Sequence, residues 1–332
     1  MRSKADVFGA LGMTLGLGLS PMAGYTDRAM RVVCHAHGAE YSVTEMVSAK
    51  ALAFGDKKTF KLARILPDEG PCAVQIFGSE PDVMARAAEV LSKPVCGGAA
   101  PRAIDINMGC PVHKIFSNGE GSALMKSPEL IERIVRAVTS EISVPCTVKI
   151  RCGTDAEHIN AVECALAAES GGASLVTVHG RTRVQMYSGE VDRSVIADVK
   201  CALRIPVLAN GDITDAKTAL SMLKETGADG LMIGRGAVGN PFLFDEIKLA
   251  LLGEDFTPPP ISERVDTALL QLRLAIEEKG EEAAVKEARK QIALYLHSFR
   301  GAAAIRAKIN TASTYSEVAS AFETCISGDE NA

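Results

Sequence analysis

Short runs of apolar and β-branched residues recur along the chain, separated by longer segments whose apolar residues are three and four positions apart. The first pattern predicts strands and the second predicts amphipathic helices. Eight strands are predicted, at residues 17–21, 41–45, 73–77, 103–107, 146–151, 175–179, 207–210 and 231–234. The predicted helices between them include residues 81–91, 128–141, 156–170 and 215–226. Such regular alternation is typical of α/β proteins.

Eight strands that alternate with helices match a TIM (β/α)8 barrel, and an open doubly wound sheet is the alternative. An open sheet concentrates its chemistry at one switch point, whereas a barrel places it around the rim formed by the C-terminal strand ends. In this chain, polar residues and glycines follow most of the predicted strands, at residues 21–24, 45–46, 107–110, 149–151, 179–181, 210–212 and 234–236. The barrel is therefore the predicted fold.

The alternation of strands and helices stops after residue 245. Three consecutive prolines at 258–260 lie within a segment, 253–262, that is typical of a linker, and helical spacing resumes beyond it. The predicted organisation is a catalytic barrel at residues 1–245, a linker at 246–262 and a small all-helical domain at 263–332.

The chain as a whole is acidic, but one segment near its C-terminus is basic. The net charge of −5 gives no basic footprint for the chain as a whole. Within residues 284–312, however, a single anion, Glu287, accompanies six cations: Lys286, Arg289, Lys290, Arg300, Arg306 and Lys308. A basic helical appendage beside a barrel mouth is suited to a phosphate backbone, and an ordinary solvated helical face is the alternative.

Nine cysteines are scattered through the chain without a C-x-x-C pair, which favours reduced thiols in a cytoplasmic protein. Cys34, His35 and His37 are close in sequence, but a helix that happens to carry them is a better explanation than a metal site. No apolar run approaches the ~20 residues that span a bilayer. We therefore expect neither a metal nor a membrane segment.

The predicted strands seven and eight end in Asn210-Gly211-Asp212 and Gly234-Arg235-Gly236. Barrels often bind phosphate at this place through backbone N–H groups, and Arg235 adds a charged donor. Residues 234–239 also match G-x-G-x-x-G, but the acidic pair that follows at 254–255 lies in the predicted linker rather than at a strand end. A mononucleotide phosphate is therefore preferred to a dinucleotide.

Lys149 interrupts a run of strand-forming residues, and a lysine inside a barrel is costly unless an anion meets it. A flavin ring supplies one, because negative charge gathers around N1 and the C2 carbonyl on reduction. A barrel carboxylate is the alternative partner. Gln75, at the end of the third strand, both donates and accepts, as the flavin pyrimidine requires.

Three further groups at strand ends are candidates for the site. The segment 21–24 allows close backbone approach to a ring, and His179 and Arg181 are able to bind cofactor or substrate oxygens. Cys110 follows the fourth strand. With an ordinary pKa near 8.5 its thiol is mostly protonated at neutral pH and is able to act as an acid, although a small buried apolar role is the alternative.

The segment 105–111, Asp-Ile-Asn-Met-Gly-Cys-Pro, followed by Lys114 and by Gly-Ser-Ala-Leu-Met-Lys at 121–126, resembles the tRNA-dihydrouridine synthases. Other segments that resemble this family, in order, are residues 21–24, 148–151, 179–183, 210–213 and 234–235. The chain is most similar to the bacterial B-type branch, because Arg289-Lys290 and the segment 301–306 resemble its C-terminal signature.

This resemblance implies an oxidoreductase that reduces uridines of tRNA to 5,6-dihydrouridine, with the helical domain binding tRNA and no obligatory protein partner. It implies FMN held by Pro21, Met22, Ala23, Gln75, Lys149, His179, Asn210, Gly211, Asp212, Gly234 and Arg235. It further implies hydride transfer from N5 of FMN to C6 of uridine, protonation of C5 by Cys110, and regeneration of the flavin by NADPH (or NADH). Asn107, Arg151 and Arg181 are the candidates that orient the base, which leaves its stack to reach the flavin.

The chain departs from the family pattern at His113, where a lysine is common, and at Gln291, where a histidine is frequent; it also has no tryptophan. These departures weaken any transfer of specificity for one tRNA position. Two other functions stay open. A flavin barrel that reduces a small molecule, of dihydroorotate or enoate type, leaves the basic helices without a use. A non-catalytic RNA-binding barrel leaves Cys110 and Lys149 unexplained.

Overall fold

The computed structural model describes the backbone of residues 3–329 and the side chains of residues 3–323. Its strands are β1 (Leu17–Leu19), β2 (Tyr41–Val43), β3 (Val47–Ser48), β4 (Cys72–Phe77), β5 (Ala103–Met108), β6 (Cys146–Arg151), β7 (Gly153–Asp155), β8 (His158–Ile159), β9 (Leu175–His179), β10 (Val207–Asn210) and β11 (Gly230–Ile233). Short 3-10 helices lie at Pro67–Glu69, Gly121–Lys126, Arg235–Ala237 and Ala293–Leu296.

The α-helices are α1 (Lys4–Leu11), α2 (Arg28–Ala36), α3 (Ala49–Ala53), α4 (Lys57–Leu62), α5 (Pro81–Leu91), α6 (His113–Ser117), α7 (Pro128–Glu141), α8 (Ala161–Ser170), α9 (Arg193–Ala202), α10 (Ala216–Thr226), α11 (Leu243–Leu252), α12 (Ile261–Lys279), α13 (Glu281–Ile292), α14 (Ala302–Thr311) and α15 (Tyr315–Asp329). None of the helices in the described part of the chain is long and apolar enough to cross a membrane.

Eight strands form a closed parallel barrel. They pair in the order β1, β2, β4, β5, β6, β9, β10 and β11, and β11 pairs with β1 to complete the ring. These are the eight strands that the sequence predicts, so the TIM barrel is confirmed. Apolar residues on the outer face of the ring pack against the surrounding helices in one large buried cluster, as in other barrels of this kind.

One predicted helix is partly wrong. The apolar spacing predicts a helix over residues 156–170, but β7 and β8 form a hairpin first and α8 begins only at Ala161. The backbone at Gly153 passes so close to the His158 carbonyl that an added Cβ would lie 1.9 Å from its oxygen. The Asp155 carboxylate accepts the Glu157 N–H at 3.1 Å. These local contacts stabilise a turn, and they outweigh the helical spacing of the apolar residues.

The N-terminal end of the barrel is covered by α1. Apolar residues of α1, such as Phe8 and Leu11, share a buried cluster with the inward-facing starts of several strands, Tyr41, Ala73 and Ala103 among them. The covering leaves the C-terminal rim as the accessible end, where barrel enzymes place their chemistry.

The last part of the chain is helical and has its own buried core, built from α12 to α15. The predicted linker begins at residue 246, but residues 246–252 belong to α11, whose Leu243, Phe244 and Ile247 are buried against the barrel. Within the predicted linker 246–262, only residues 253–260 lie outside the helices. The division into a barrel domain, a linker and a helical domain stays a prediction.

The helices α12 and α13 lie against the barrel. Arg28 of α2 forms an ion pair with Glu277 at 3.2 Å, and Lys279 forms one with Asp27 at 2.8 Å. At Gly239, after β11, an added Cβ would lie 2.4 Å from Cβ of Leu294. The helical part is therefore seated directly on the loops of the C-terminal rim.

Candidate active site at the C-terminal rim

The strand register explains why the candidate residues meet. In parallel pairing, Gln75 stands beside Asp105, which stands beside Thr147. Two residues further along, Asn107 stands beside Lys149. Side chains two positions apart point to the same face of a strand, so these five residues form two adjacent rows at the C-terminal end of the barrel.

Lys149 is the cation at the centre of this arrangement. Its ammonium donates a hydrogen bond to Oδ1 of Asn210 at 3.0 Å, and it forms no ion pair with any described side chain. Burial, together with the charge of Arg151, lowers the pKa of Lys149 to about 7, although the Asp105 charge opposes the shift. The barrel carboxylate considered as its partner does not bond to it, so the ammonium is free to meet an added anion.

His179 stands beside Asn210 at the end of β9 and is only 7% exposed. Burial and then the positive charges of Lys149, Arg151 and other cations hold the pKa of its imidazole far below the ordinary value, so the ring is neutral. Neither ring nitrogen has a hydrogen-bond partner among the described residues. An added Cβ at Gly211 would lie 3.1 Å from Cδ2 of His179, so the imidazole packs closely on the β10 end.

The loop after β10 carries an ion-pair network. Asp212 accepts two hydrogen bonds from Arg181, at 2.9 and 2.5 Å, and one from Arg235 at 3.3 Å. Arg181 also donates to the carbonyls of Ser188 and Gly189 and is only 2% exposed. All three guanidinium nitrogens of Arg181 therefore donate to protein groups, whereas Arg235 is largely exposed.

The loop after β1 approaches the end of β11. An added Cβ at Gly234 would lie 3.6 Å from Sδ of Met22. Thr26 holds the loop in shape: its hydroxyl donates to the Ser20 carbonyl at 3.0 Å and accepts the Met22 N–H at 2.8 Å. Pro21 and Met22 are partly buried and Ala23 is exposed, so this loop borders the rim beside Gly234.

Cys110 lies just beyond β5 and is 8% exposed. Its backbone N–H donates to Oδ1 of Asn107 at 2.9 Å, and its carbonyl accepts a hydrogen bond from the Ser122 hydroxyl at 2.7 Å. Burial raises the pKa of the Cys110 thiol, while a backbone N–H at Val112 and the charge of Arg151 oppose the shift. The thiol is therefore protonated at neutral pH, as a proton donor requires.

Arg151 secures the loop that carries Cys110. It donates to the Gly109 carbonyl at 2.8 Å and to the carbonyls of Thr182 and Met186 at 2.8 and 2.9 Å. Like Arg181, it is buried, and its bonds go to backbone carbonyls, whereas Arg181 also binds the Asp212 carboxylate. The sequence predicts both arginines at the rim, and the structure places them there, but their contacts are with the surrounding loops.

Sequence reasoning missed one contributor to the site, Tyr187, and one contact, between Lys290 and Tyr25. Tyr187, 53% exposed, presents its ring to the guanidinium groups of Arg235 and Arg151, at 4.8 and 5.8 Å from its centroid. Its only sequence signal is an aromatic residue soon after the sixth strand. Lys290 of α13 lies 4.3 Å from the centre of the Tyr25 ring, a contact between distant parts of the chain that no local pattern announces.

Comparison with known proteins gives matches over most of the chain. Residues 18–329 match the family model described as dihydrouridine synthase (Dus). The chain is 41% identical over 297 residues to tRNA-dihydrouridine synthase B of Xanthomonas axonopodis pv. citri (strain 306), covering 89% of this chain and 88% of that protein. It is 41% identical over 306 residues to tRNA-dihydrouridine synthase B of Serratia marcescens, covering 92% and 90%.

A probable tRNA-dihydrouridine synthase 1 of Synechocystis sp. (strain ATCC 27184 / PCC 6803 / Kazusa) is 42% identical over 293 residues, covering 87% of this chain and 80% of that protein. Among solved structures, a mutant of FabK from Thermotoga maritima aligns with 72% of this chain and 66% of its own, with a TM-score of 0.42 and 14% identity, which is too distant to inform function. The family match over most of the chain, with relatives at this level of identity, shows that the protein belongs to the dihydrouridine synthase family.

Proposed function

We propose that the protein reduces specific uridines of tRNA to 5,6-dihydrouridine, with FMN as its resident cofactor and NADPH (or NADH) as the reductant. The observation that carries the proposal is the Lys149 ammonium, held at the barrel rim with a neutral amide as its hydrogen-bond acceptor. A partly buried cation without an ion-pair partner in the described structure fits a site built for an anionic group.

The donor set around Lys149 fits FMN. Two guanidinium groups, of Arg181 and Arg235, share the single carboxylate of Asp212, so this corner keeps an excess positive charge suited to a phosphate. His179 adds a neutral ring without a described partner. We assign the phosphate to this corner and the ring system to the remaining residues of the set, Pro21, Met22, Ala23, Gln75, Lys149, Asn210, Gly211 and Gly234.

The proposed chemistry adds two hydrogens across the C5–C6 bond of uracil. When bound, FMN supplies the hydride, from N5 to C6, and NADPH is its ultimate source. Cys110 supplies the proton to C5 and is reprotonated from solvent. Its raised pKa keeps that proton on sulfur until the pyrimidine ring gains negative charge. Asn107 fixes the backbone that carries the thiol.

The helical part supports a tRNA substrate. Of its six clustered cations, Lys286 forms an ion pair with Glu282 and Arg289 donates to the Ala312 carbonyl. The other four are exposed and form no ion pair with a described residue: Lys290, Arg300, Arg306 and Lys308. Lys290 reaches the β1–α2 loop, so this charged surface adjoins the rim. The small-molecule alternative gives that surface no role.

The eight described cysteines are free thiols, which supports the cytoplasm as the place of the reaction.

The test of the proposal is to incubate the purified protein with unmodified tRNA and NADPH and to map dihydrouridine by nucleotide. We expect a yellow protein and dihydrouridine at discrete positions. A colourless protein that takes up no riboflavin phosphate contradicts the cofactor, and a yellow protein that leaves tRNA unreduced favours a small substrate.

A further inference from the structure

Asp105 is a carboxylic acid inside the barrel, 3% exposed, for which the proposed reaction has no direct use. One of its oxygens accepts a hydrogen bond from the Thr147 hydroxyl at 2.5 Å, and the other accepts one from Nε2 of Gln75 at 2.7 Å. Burial raises the pKa of Asp105, while these two bonds and the charge of Lys149 oppose the shift. Burying an acid is costly in free energy.

The bond to Gln75 begins a chain of side-chain amides with a fixed direction. Because Nε2 of Gln75 faces Asp105, its Oε1 is left to accept from Nδ2 of Asn107, at 2.9 Å. Oδ1 of Asn107 then accepts the backbone N–H groups of Gly109 and Cys110, at 3.2 and 2.9 Å. Rotating either amide by 180° would set donor against donor or oxygen against oxygen along this chain.

We propose that Asp105 is a positioning residue, which fixes the loop carrying Cys110 through the amides of Gln75 and Asn107. This inference rests on the proposed function, because it assigns value to the placement of the Cys110 thiol. In either protonation state, Asp105 offers Gln75 an oxygen acceptor. The role is therefore that of an oriented acceptor, and an asparagine at 105 is able to fill it while its own amide nitrogen faces Thr147.

A different role for Asp105 would act through charge. Asp105 and Lys149 shift each other's pKa in the directions expected of opposite charges, so a carboxylate here is able to tune the ammonium that we assign to the flavin. Charge and orientation make opposite predictions for the isosteric amide. Asp105→Asn removes the charge and keeps the acceptor, whereas Asp105→Leu removes both at similar volume.

The experiment measures two half-reactions of each FMN-loaded variant. Flavin reduction by NADPH does not use Cys110, whereas transfer to tRNA from the pre-reduced protein does. We expect Asp105→Asn to stay within about threefold of wild type in both, and Asp105→Leu to lose about tenfold or more in transfer to tRNA. Its loss in flavin reduction should be smaller, because that half-reaction is affected only through the proposed contact of Gln75 with FMN. Thr147→Val, which leaves the Asp105–Gln75 bond intact, is the matched control and is expected to behave like Asp105→Asn.

Alkylation of individual cysteines separates positioning from general loosening. Asp105→Leu is expected to change the iodoacetamide reactivity of Cys110, measured by peptide mass spectrometry, and to leave the buried Cys34 and Cys164 protected. The exposed Cys96 and Cys201 calibrate the reagent. If Asp105→Leu is not recovered as a folded protein, the Asp105→Asn and Thr147→Val proteins still carry the test.

Three outcomes of these experiments distinguish positioning from a charge effect, from no effect and from general loosening of the fold. An equal loss in Asp105→Asn and Asp105→Leu, with a raised flavin potential in both, overturns positioning in favour of a charge effect. Wild-type transfer in Asp105→Leu, or deprotection of every buried cysteine in it, also overturns the inference. In each case wild-type protein still makes dihydrouridine; if wild type makes none, it is the proposed function that has failed.

Discussion

The ammonium of Lys149 donates to Oδ1 of Asn210 at 3.0 Å, and the amide nitrogen of Asn210 donates in turn to the Met232 carbonyl at 2.6 Å. The second bond fixes which end of the Asn210 amide faces the lysine. A neutral residue thus holds the cation in place without neutralising it. The amino group is positioned before any anion arrives, which is how binding sites reduce the cost of ordering.

FMN binding is expected to depend on pH through Lys149. In the protein without cofactor, the Lys149 pKa is about 7, so the amino group is largely deprotonated above that pH. Binding of an anionic ligand then requires Lys149 to take up a proton. We expect the FMN affinity to fall between pH 7 and 9 by up to about tenfold per unit. Titration by fluorescence quenching measures it.

Two variants test the assignment to this lysine. Lys149→Met is expected to bind FMN more weakly with a flat profile over the same pH range, and Lys149→Arg is expected to keep the charge with an equally flat profile. A slope in Lys149→Met like that of wild type would assign the titration to another group.

The same pKa shift acts on stability in the opposite direction. The folded-state pKa of Lys149 lies below the unfolded-state value near 10.5, so between these pH values the unfolded chain binds more protons. Stability of the cofactor-free protein from this group therefore rises with pH from about 7 to about 10. Urea unfolding of wild type and Lys149→Met at pH 7 and 9 measures the difference, and an equal pH response in the two proteins contradicts it.

Replacing Cys110 separates the cofactor from the acid. We expect Cys110→Ala to bind FMN and to be reduced by NADPH as wild type, but to form dihydrouridine about 100-fold more slowly or worse, because the proton donor is missing. Cys164→Ala, at a buried cysteine of α8, is the matched control. Dihydrouridine formation at the wild-type rate in Cys110→Ala would refute the assignment.

Charge reversal on α14 and the loop before it tests the RNA surface. Arg300→Glu/Arg306→Glu is expected to weaken tRNA binding and to reduce its salt dependence. With each phosphate contact that is lost, fewer counterions are released from the RNA on binding. The control with the same charge change is Arg102→Glu/Arg204→Glu, at exposed arginines near the starts of β5 and β10, at the opposite end of the barrel. Filter binding at several salt concentrations measures both, and equal losses would argue against a localised RNA surface.

The seating of the helices on the barrel is tested at Gly239. This residue has φ +69°, and an added Cβ would lie 2.4 Å from Cβ of Leu294. Gly239→Ala is expected to lower the free energy of unfolding by about 2–4 kcal/mol, through backbone strain and a steric clash. Gly253→Ala has a similar φ, +75°, with open space around it, so it should show the strain alone. Equal thermal shifts in the two variants would show that the contact with Leu294 contributes nothing.

The fold was predictable because its signal is local and repeated. Each βα unit shows its own spacing, and glycines and polar residues mark the strand ends, so eight strands and the catalytic rim follow from the sequence. The hairpin of β7 and β8 was not predictable, because it depends on a close backbone approach between Gly153 and His158 that apolar spacing does not reveal.

The candidate site was predictable as a set of residues but not as a set of contacts. Resemblance to a family placed Arg151 and Arg181 near the substrate, yet Arg151 donates to loop carbonyls through Nε and Nη1, and Arg181 donates to loop carbonyls and to Asp212. The hydrogen bond between Gln75 and Asp105 joins two adjacent strands, and the two residues are thirty positions apart in sequence. Only the register of the closed sheet brings such pairs together.

The covering of the barrel floor by α1 has a kinetic consequence. A planar ring system lying across the rim would turn one face to the packed interior and only the other toward solvent. Nicotinamide and uracil would then compete for that single approach and visit in turn, with the electrons stored between visits. The site would then have a single entrance, and turnover would follow a ping-pong order.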